Sequence, residues 1–314
     1  MLRLLPPKEI LNTDRLPGTI LLLGSLLFVV PPLRAQELEP RAYSPSPVGT
    51  HFLLVAGAES TGGVSVDPSL PIENVEATVD ALAAAYGQTF GLLGRSASAA
   101  LLLTYVDGEF SGDVMDQAQR VTRTGFADLR LRLGIGLLGS PALTPAEFAR
   151  RIRGPTLGAS LVIVAPTGEY LPDKLINLGA NRWSFKPELG VAWPMGHWYL
   201  EQSAGVWLFT DNDDFFGGVR RQQDPLTTLQ THVSYTFRPG LWFAVSYTYY
   251  TGGRTTVNEV SKTDWQDNSR LGVTLSWPLT RQQSLKLSFS RGASSRIGSD
   301  FDTVGLAWQF AWFD

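Results

Sequence analysis

Charged side chains that alternate with apolar ones are the residues of this sequence with the clearest potential for chemistry. In the stretch DLRLRLGIGLL, Asp128, Arg130 and Arg132 occupy every second position, and leucine occupies the positions between them. Successive side chains of an extended chain point to opposite faces. One face is therefore ionic and the other apolar. Ions enclosed away from bulk water must pair with one another or with a charged solute, because an isolated ion there is costly.

Later segments place further titratable residues on an equivalent face. The residues predicted to line an interior are Asp128, Arg130, Arg132, Lys186, Glu188, Glu201, His232, Arg270 and Lys286. Val162 and Val164 fall on the same face, so part of this interior is expected to tolerate an uncharged aromatic solute. Two roles for the charges remain open. They constrict a pore and set its selectivity, as charged rings do in channels, or they form salt bridges that only fill and brace the interior.

The overall composition limits the class of protein that positions these residues. The chain has 314 residues, of which 44% are hydrophobic and 18% charged, with 31 glycines, no cysteine and a net charge of −3. Past the N-terminus we find no apolar run of about 18 residues, the length that a membrane helix needs. The negative balance argues against a nucleic-acid partner, which requires a concentrated basic surface.

The N-terminus has the features of a bacterial export signal. Basic residues precede an apolar core over 18–30, which is too short to span a membrane comfortably, and the sequence LRA then predicts cleavage between Ala35 and Gln36. We therefore expect a signal peptide over 1–35, a periplasmic N-terminal segment over 36–48 and one domain over 49–314. An uncleaved anchor is the alternative for the leader.

That single domain shows the two-residue periodicity of β-strands, interrupted by turn residues. The predicted strands are 49–59, 75–90, 97–106, 121–138, 156–166, 182–193, 198–210, 225–237, 241–250, 270–277, 284–290 and 302–312. Tight turns alternate with long polar loops, and an even strand number returns both termini to one side. This arrangement predicts an all-β fold, a transmembrane antiparallel up-and-down β-barrel of about 12 strands, with turns in the periplasm and loops outside. One connection, 139–155, is long although it falls on the side of the short turns. Thr144 and Pro145 predict that a short helix starts there, at the periplasmic rim.

Aromatic residues indicate which face meets lipid. Trp193, Trp198, Phe237, Phe243 and Trp277 flank the tight turns on the apolar faces, as an interfacial girdle requires. The opposite faces are mostly small or polar instead of rich in Lys and Glu, which disfavours the alternative of a soluble envelope β-domain. The aromatic-rich final strand resembles the signal read by barrel-assembly machinery, although this chain ends in WFD. The bilayer and that machinery are therefore expected partners.

The acidic stretch DNDDFFGG (211–218) is expected at the extracellular mouth. The residues placed there are Asp211, Asp213, Asp214, Phe215 and Phe216. A calcium loop needs an oxygen ligand at position 5 and glycine at position 6, where this stretch has two phenylalanines, so no metal site is predicted. We expect the aspartates to form a polar turn or to bind Arg220 or Arg221, and the phenylalanines to cover the mouth or pack on its rim.

We expect neither catalysis nor cofactor binding. A twelve-stranded outer-membrane phospholipase class uses Ser and His on the lipid-facing side, whereas His232 is predicted to face the interior, His197 a tight turn and His51 a strand start. An inward histidine is more often a hydrogen-bonded interior residue. A glycine-rich phosphate-binding loop is followed by a helix that begins with Lys-Ser or Lys-Thr. The glycine-rich stretch TGGRTT is not followed by such a helix, so we predict no nucleotide site there.

Several motifs spread over nearly the whole expected mature chain resemble one family, the outer-membrane proteins described as transporters of the MetA pathway of phenol degradation. The matching stretches lie at 40–54, 62–75, 125–133, 177–191, 209–218, 223–226, 250–256 and 299–309. The resemblance implies a barrel that transports small, aromatic or apolar compounds. We therefore predict a passive pore for such solutes without a cofactor. The alternative is a plugged barrel with a structural or interaction role.

Overall fold

The computed structural model describes residues 39–65, 72–114, 117–174 and 176–314. The predicted signal peptide and residues 36–38 lie outside the described residues. In those ranges, no helix has the length and apolar character to cross a membrane. The elements are β1 (Thr50–Ser65), β2 (Ile72–Leu92), β3 (Arg95–Val114), β4 (Gln117–Phe126), β5 (Leu129–Leu138), α1 (Pro145–Arg150), β6 (Thr156–Ala165), β7 (Ser184–Met195), β8 (Trp198–Phe209), β9 (Asn212–Phe215), β10 (Val219–Gln223), β11 (Leu226–Arg238), β12 (Leu241–Gly252), β13 (Thr255–Val257), β14 (Val260–Ser261), β15 (Gln266–Pro278), β16 (Gln283–Ser294) and β17 (Gly298–Phe313).

Antiparallel pairing closes the long strands into a barrel. Consecutive wall strands are neighbours, and the first and last pair along their whole length, from Thr50 opposite Phe313 to Ser65 opposite Gly298. Strands β4 and β5 act as one wall strand, since both pair with β3, so the barrel has 12 wall strands. The predicted fold class is confirmed. We call the end with short connections, such as 196–197, the turn end, and the end with long ones, such as 166–183, the loop end.

The break between β4 and β5 holds a loop in place. Asp128 lies in this break, and its carboxylate accepts hydrogen bonds from the amides of Gly168 (2.9 Å) and Ala180 (2.8 Å). Both donors belong to the long connection 166–183. The wall strand is therefore interrupted where the Asp128 side chain secures the loop.

Burial alternates along the wall strands as the sequence predicts. In β6, every second residue is buried, and in β7 the buried Lys186 and Glu188 alternate with exposed Leu189. The aromatic residues beside the tight turns are on the outer face, with Trp193, Trp198 and Trp277 each about half exposed. Apolar groups outside and polar groups inside are the pattern of a barrel in lipid.

Two wall strands extend further at the loop end than the sequence indicates. Residues 107–119 were expected to form a loop, but β3 continues to Val114 and β4 begins at Gln117. The outward residues of both strands here are mostly polar or charged, as expected where a strand extends beyond the apolar belt into water, and this polarity hides the strand pattern. In β2, Glu76, Thr78 and Asp80 are exposed, whereas Ala77 and Val79 are buried, so the two acidic residues face outward.

An apolar cluster fills the interior of this extension. Its buried members come from β1, β2, β3, β17 and the loop 166–183, and they are Val64, Val75, Ala77, Val79, Val106, Phe110, Ile176, Leu178 and Phe301. Burial of apolar area stabilises such a cluster. The loop is therefore fixed at one end by the Asp128 carboxylate and further along by apolar packing.

The predicted helix at the turn end is confirmed. Thr144 is the N-cap of α1, Pro145 occupies the first turn, and the amide of Thr144 donates to the Glu147 carboxylate at 2.9 Å, which completes a capping box. These hydrogen bonds hold the pKa of Glu147 below its ordinary value. The helix ends at Arg150, so it has six residues.

Candidate functional site in the barrel interior

Five of the residues predicted to line the interior are buried on the inner face. They are Lys186, Glu188, Glu201, His232 and Arg270, none more than 6% exposed. Lys286 shares the inner face of β16 with Ser284 and Ser288, and Arg130 lies on the same face of β5 as Arg132. Asp128 binds backbone amides at the loop end, as described above. Whether these side chains select a solute stays a prediction.

The N-terminal segment 39–48 supplies partners that the alternation could not indicate. The Arg41 guanidinium donates to the hydroxyl of Ser234 at 3.2 Å and of Thr236 at 2.6 Å, and it lies 4.7 Å from the ring centre of Trp242. All three are inward-facing residues of β11 and β12 near the turn end. The segment therefore occupies the interior at that end.

Tyr43 is packed against the opposite wall. Its hydroxyl donates to Glu188 Oε1 at 2.7 Å and lies 3.0 Å from Ser160 Oγ. A Cβ atom built on Gly190 would be 2.2 Å from the ring, and one on Gly158 would be 2.9 Å from it. Only glycine at these two inner-face positions leaves room for the ring.

The interior carboxylates bind this segment. Glu201 of the wall accepts hydrogen bonds from the backbone N–H groups of Arg41 and, at 2.9 Å, of Tyr43. In the other direction, Glu39 of the segment forms an ion pair with Arg132 of the wall at 2.8 Å. Glu188 also pairs with Lys186 at 3.0 Å. Charge-assisted hydrogen bonds of this kind are the stronger ones in proteins. One sequence feature could have indicated this interior segment, the run PRAYSPSP. Its prolines favour an extended chain, in which Arg41 and Tyr43 are two residues apart.

Towards the loop end, the interior becomes apolar and aromatic. Val162, Val164, Trp207 and Leu226 form a buried cluster, against which Phe209 and Tyr250 pack. Cations lie over two of these rings: Lys186 Nζ is 5.5 Å from the Trp207 ring centre, and the Arg182 guanidinium is 4.5 Å from that of Phe209. The mixed interior that Val162 and Val164 suggested is therefore present.

The acidic stretch at the loop end is ordered by Arg220. This residue forms ion pairs with Asp211 and, at 3.3 Å, with Asp213, whereas Asp214 accepts a hydrogen bond from Tyr170 through its carbonyl oxygen. The stretch was expected to be a loop, but β9, β10, β13 and β14 form a separate four-stranded sheet. These strands are too short for period-two alternation to reveal them.

The two phenylalanines contribute to the core of this loop sheet. Phe215 and Val257 are buried there, and Phe216 and Val219 pack against them. Arg221 lies over the Phe215 ring at 5.2 Å. The arginine that binds the aspartates is therefore Arg220, and Arg221 is used for aromatic packing.

The three histidines occupy unrelated sites. His232 Nδ1 lies 2.8 Å from Ser246 Oγ in the interior, and His197 Nδ1 lies 2.7 Å from the carbonyl oxygen of Thr236. His51 is on the outer face, where its ring stacks on Trp312. Within the described ranges, no group of three or more metal-ligating side chains occurs.

A closed antiparallel barrel with an apolar outer wall and a polar, partly aromatic interior defines the class of membrane-spanning β-barrel proteins. The family model described as "Putative MetA-pathway of phenol degradation" matches residues 58–310. The chain belongs to this family, which confirms the resemblance seen in the sequence. No curated protein matches the chain.

Solved structures share the fold. The COG4313 outer membrane channel from Pseudomonas putida F1 aligns with a TM-score of 0.76 and 23% identity, over 88% of this chain and all of that one. The β domain of the Bordetella autotransporter BrkA aligns with a TM-score of 0.51 and 12% identity, over 84% of this chain and all of that one. A variant of the TodX monoaromatic hydrocarbon channel aligns with a TM-score of 0.50 and 11% identity, over 86% and 91%.

Proposed function

We propose that this protein is a passive channel of the bacterial outer membrane that admits small aromatic or apolar compounds. The observation that carries the proposal is the interior itself: a buried cluster of Val162, Val164, Trp207 and Leu226 lies inside a closed barrel beside paired charges. Aromatic and aliphatic side chains with a few polar groups are the usual lining of sites for small organic molecules. Membership in a phenol-degradation family supports the same solute class.

The proposal includes the route to the membrane. The signal peptide over 1–35 directs export, barrel-assembly machinery inserts the chain, the turn end faces the periplasm and the loop end faces outside. Transport down a gradient needs no cofactor, and no catalytic step is assigned to the chain.

A second candidate function is a barrel that does not conduct. It is favoured by one observation, the occupation of the turn end by residues 39–48. In this alternative the segment is a permanent plug and the barrel has a structural or interaction role.

Uptake of radiolabelled phenol distinguishes the two functions. Cells that display the protein in an outer membrane poor in other porins are compared with cells that lack it. Faster initial uptake at low phenol concentration supports the channel, and equal rates support the plugged barrel. Trp207→Ala, which alters the interior cluster, should change uptake. Trp193→Ala removes the same side chain from the outer face and should leave uptake unchanged once the amount of folded barrel is matched.

A further inference from the structure

Three arginine side chains gather at the turn end of the barrel, and we call them the arginine cluster. Arg41 belongs to the N-terminal segment, and Arg151 and Arg153 follow α1 in the connection between β5 and β6. Arg153 lies close enough to repel both Arg41 and Arg151 electrostatically. Arg153 is exposed and the other two are partly exposed, so water and solutes can reach the cluster.

A single carboxylate opposes the charge of Arg41. In the described part of the chain, Glu201 is the only carboxylate that acts electrostatically on this guanidinium, and it already accepts hydrogen bonds from the backbone N–H groups of Arg41 and Tyr43. The guanidinium also lies 5.6 Å from the ring centre of Tyr199 and 4.7 Å from that of Trp242. Aromatic surface therefore borders this part of the cluster.

The other two guanidinium groups have no counter-charge among the described residues. No carboxylate acts on Arg151, which lies 3.8 Å from the ring centre of Phe148, and Arg153 forms no ion pair. Glu147, the acidic residue of α1, is engaged in the capping box, and no arginine acts on it. Three positive charges therefore meet one carboxylate at this end. Like charges placed together are unfavourable unless an opposite charge compensates them.

Accessible interior space adjoins the cluster on one side of the barrel. On β11, the inner-face residue Ser234 is only 1% exposed. On β16 and β17, by contrast, the inner-face residues Lys286 and Ala307 are partly exposed. Lys286 lies within electrostatic range of Arg41, which repels it, and of Glu39, which attracts it. A solute that travels along this side of the interior therefore reaches the cluster.

An anionic ligand accounts for this arrangement. A carboxylate accepts hydrogen bonds from several guanidinium groups at once and supplies negative charge, and a ring attached to it fits the aromatic border of the cluster. We propose that Arg41, Arg151 and Arg153 bind the carboxylate of a small aromatic acid at the turn end, so that the solute of this channel is an organic anion. The proposal rests on the proposed function in taking the interior to be the route of an aromatic solute. It goes beyond that function by assigning the charge of the solute and the residues that recognise it.

Four probes test what the cluster recognises: benzoate, benzamide, benzamidinium and inorganic phosphate. Their dissociation constants are measured by ligand-observed NMR titration with the purified protein in detergent. Benzoate should bind about tenfold more tightly than benzamide, which has nearly the same shape without the charge, and benzamidinium should bind most weakly. Phosphate should bind more weakly than benzoate because it lacks the ring. No binding of benzoate, equal affinity for benzoate and benzamide, or phosphate binding as tight as that of benzoate overturns the assignment.

Charge-removing variants test the residues. Arg151→Gln and Arg153→Gln should each weaken benzoate binding about threefold and the double variant about tenfold, because an exposed ion pair contributes modestly. Arg153→Lys keeps the charge and should keep most of the affinity. The matched control is Arg281→Gln, which removes an exposed positive charge from another connection at the turn end, between β15 and β16, and should leave the affinity unchanged. If Arg281→Gln weakens benzoate binding as much as Arg153→Gln, net charge alone explains the binding and the site is refuted.

A stability measurement excludes a purely structural role for Arg153. Because Arg153→Gln relieves repulsion within the cluster, this variant should unfold at the same temperature as the parent or higher. A clearly lower unfolding temperature identifies a structural role and refutes the assignment. Failure of the site is distinguishable from failure of the proposed function. Phenol uptake without benzoate binding rejects only the site, and benzoate binding without uptake of phenol or benzoate rejects only the channel.

Discussion

Replacing Gly190 with alanine should release the N-terminal segment from the interior wall. The new Cβ would lie 2.2–2.5 Å from three ring atoms of Tyr43, far inside ordinary contact, and the rigid ring has to leave its site. Tyr43 then loses its hydrogen bonds to Glu188 (2.7 Å) and Ser160 (3.0 Å). One charged and one neutral hydrogen bond together stabilise by about 2–4 kcal/mol. The equilibrium between bound and released segment should therefore shift roughly 30- to 900-fold.

Thiol labelling measures this release directly. The chain contains no cysteine, so Ser46→Cys introduces a single reactive group into the segment. A membrane-impermeant maleimide should label it much faster in the Gly190→Ala variant than in the parent, and single-channel recordings should show larger or more frequent openings. Gly57→Ala is the matched control, because a Cβ atom there meets nothing within 4 Å. Equal labelling rates in the Gly190→Ala and Gly57→Ala variants would show that the contact with Tyr43 does not retain the segment.

Three further perturbations test other parts of the structure. Arg132→Ala removes an interior cation and its ion pair with Glu39 at 2.8 Å. The reversal potential measured across a salt gradient should therefore shift towards cation preference. An unchanged reversal potential would argue against a role of Arg132 in selectivity. Asp128→Asn weakens two charge-assisted hydrogen bonds to the loop 166–183. Protease added to intact cells should then cleave this loop faster. An unchanged cleavage rate would mean that apolar packing alone holds the loop. Thr144→Ala removes the N-cap of α1 at a cost of about 1 kcal/mol; amide exchange in the helix should accelerate several-fold, and unaltered exchange would mean that the cap contributes nothing.

Local pattern was sufficient to predict the wall strands. The expected strand over 156–166 is β6, Thr156–Ala165, and the expected strand over 198–210 is β8, Trp198–Phe209. Alternation is a local property, because each side chain of a strand must face either lipid or the interior. The pattern failed above the apolar belt, where β3 continues to Val114, since an outer face in water no longer has to be apolar.

The sequence by itself therefore determined the barrel and the faces of its wall strands. Only the tertiary structure decided which of the inward charges meet. Tyr43 and Glu188 are 145 residues apart, and their contact exists because closure of the barrel brings the N-terminal segment against β7. Thr248 and Arg270 are neighbours through the register of β12 with β15. Register and closure depend on every strand at once, so no single stretch of residues contains them.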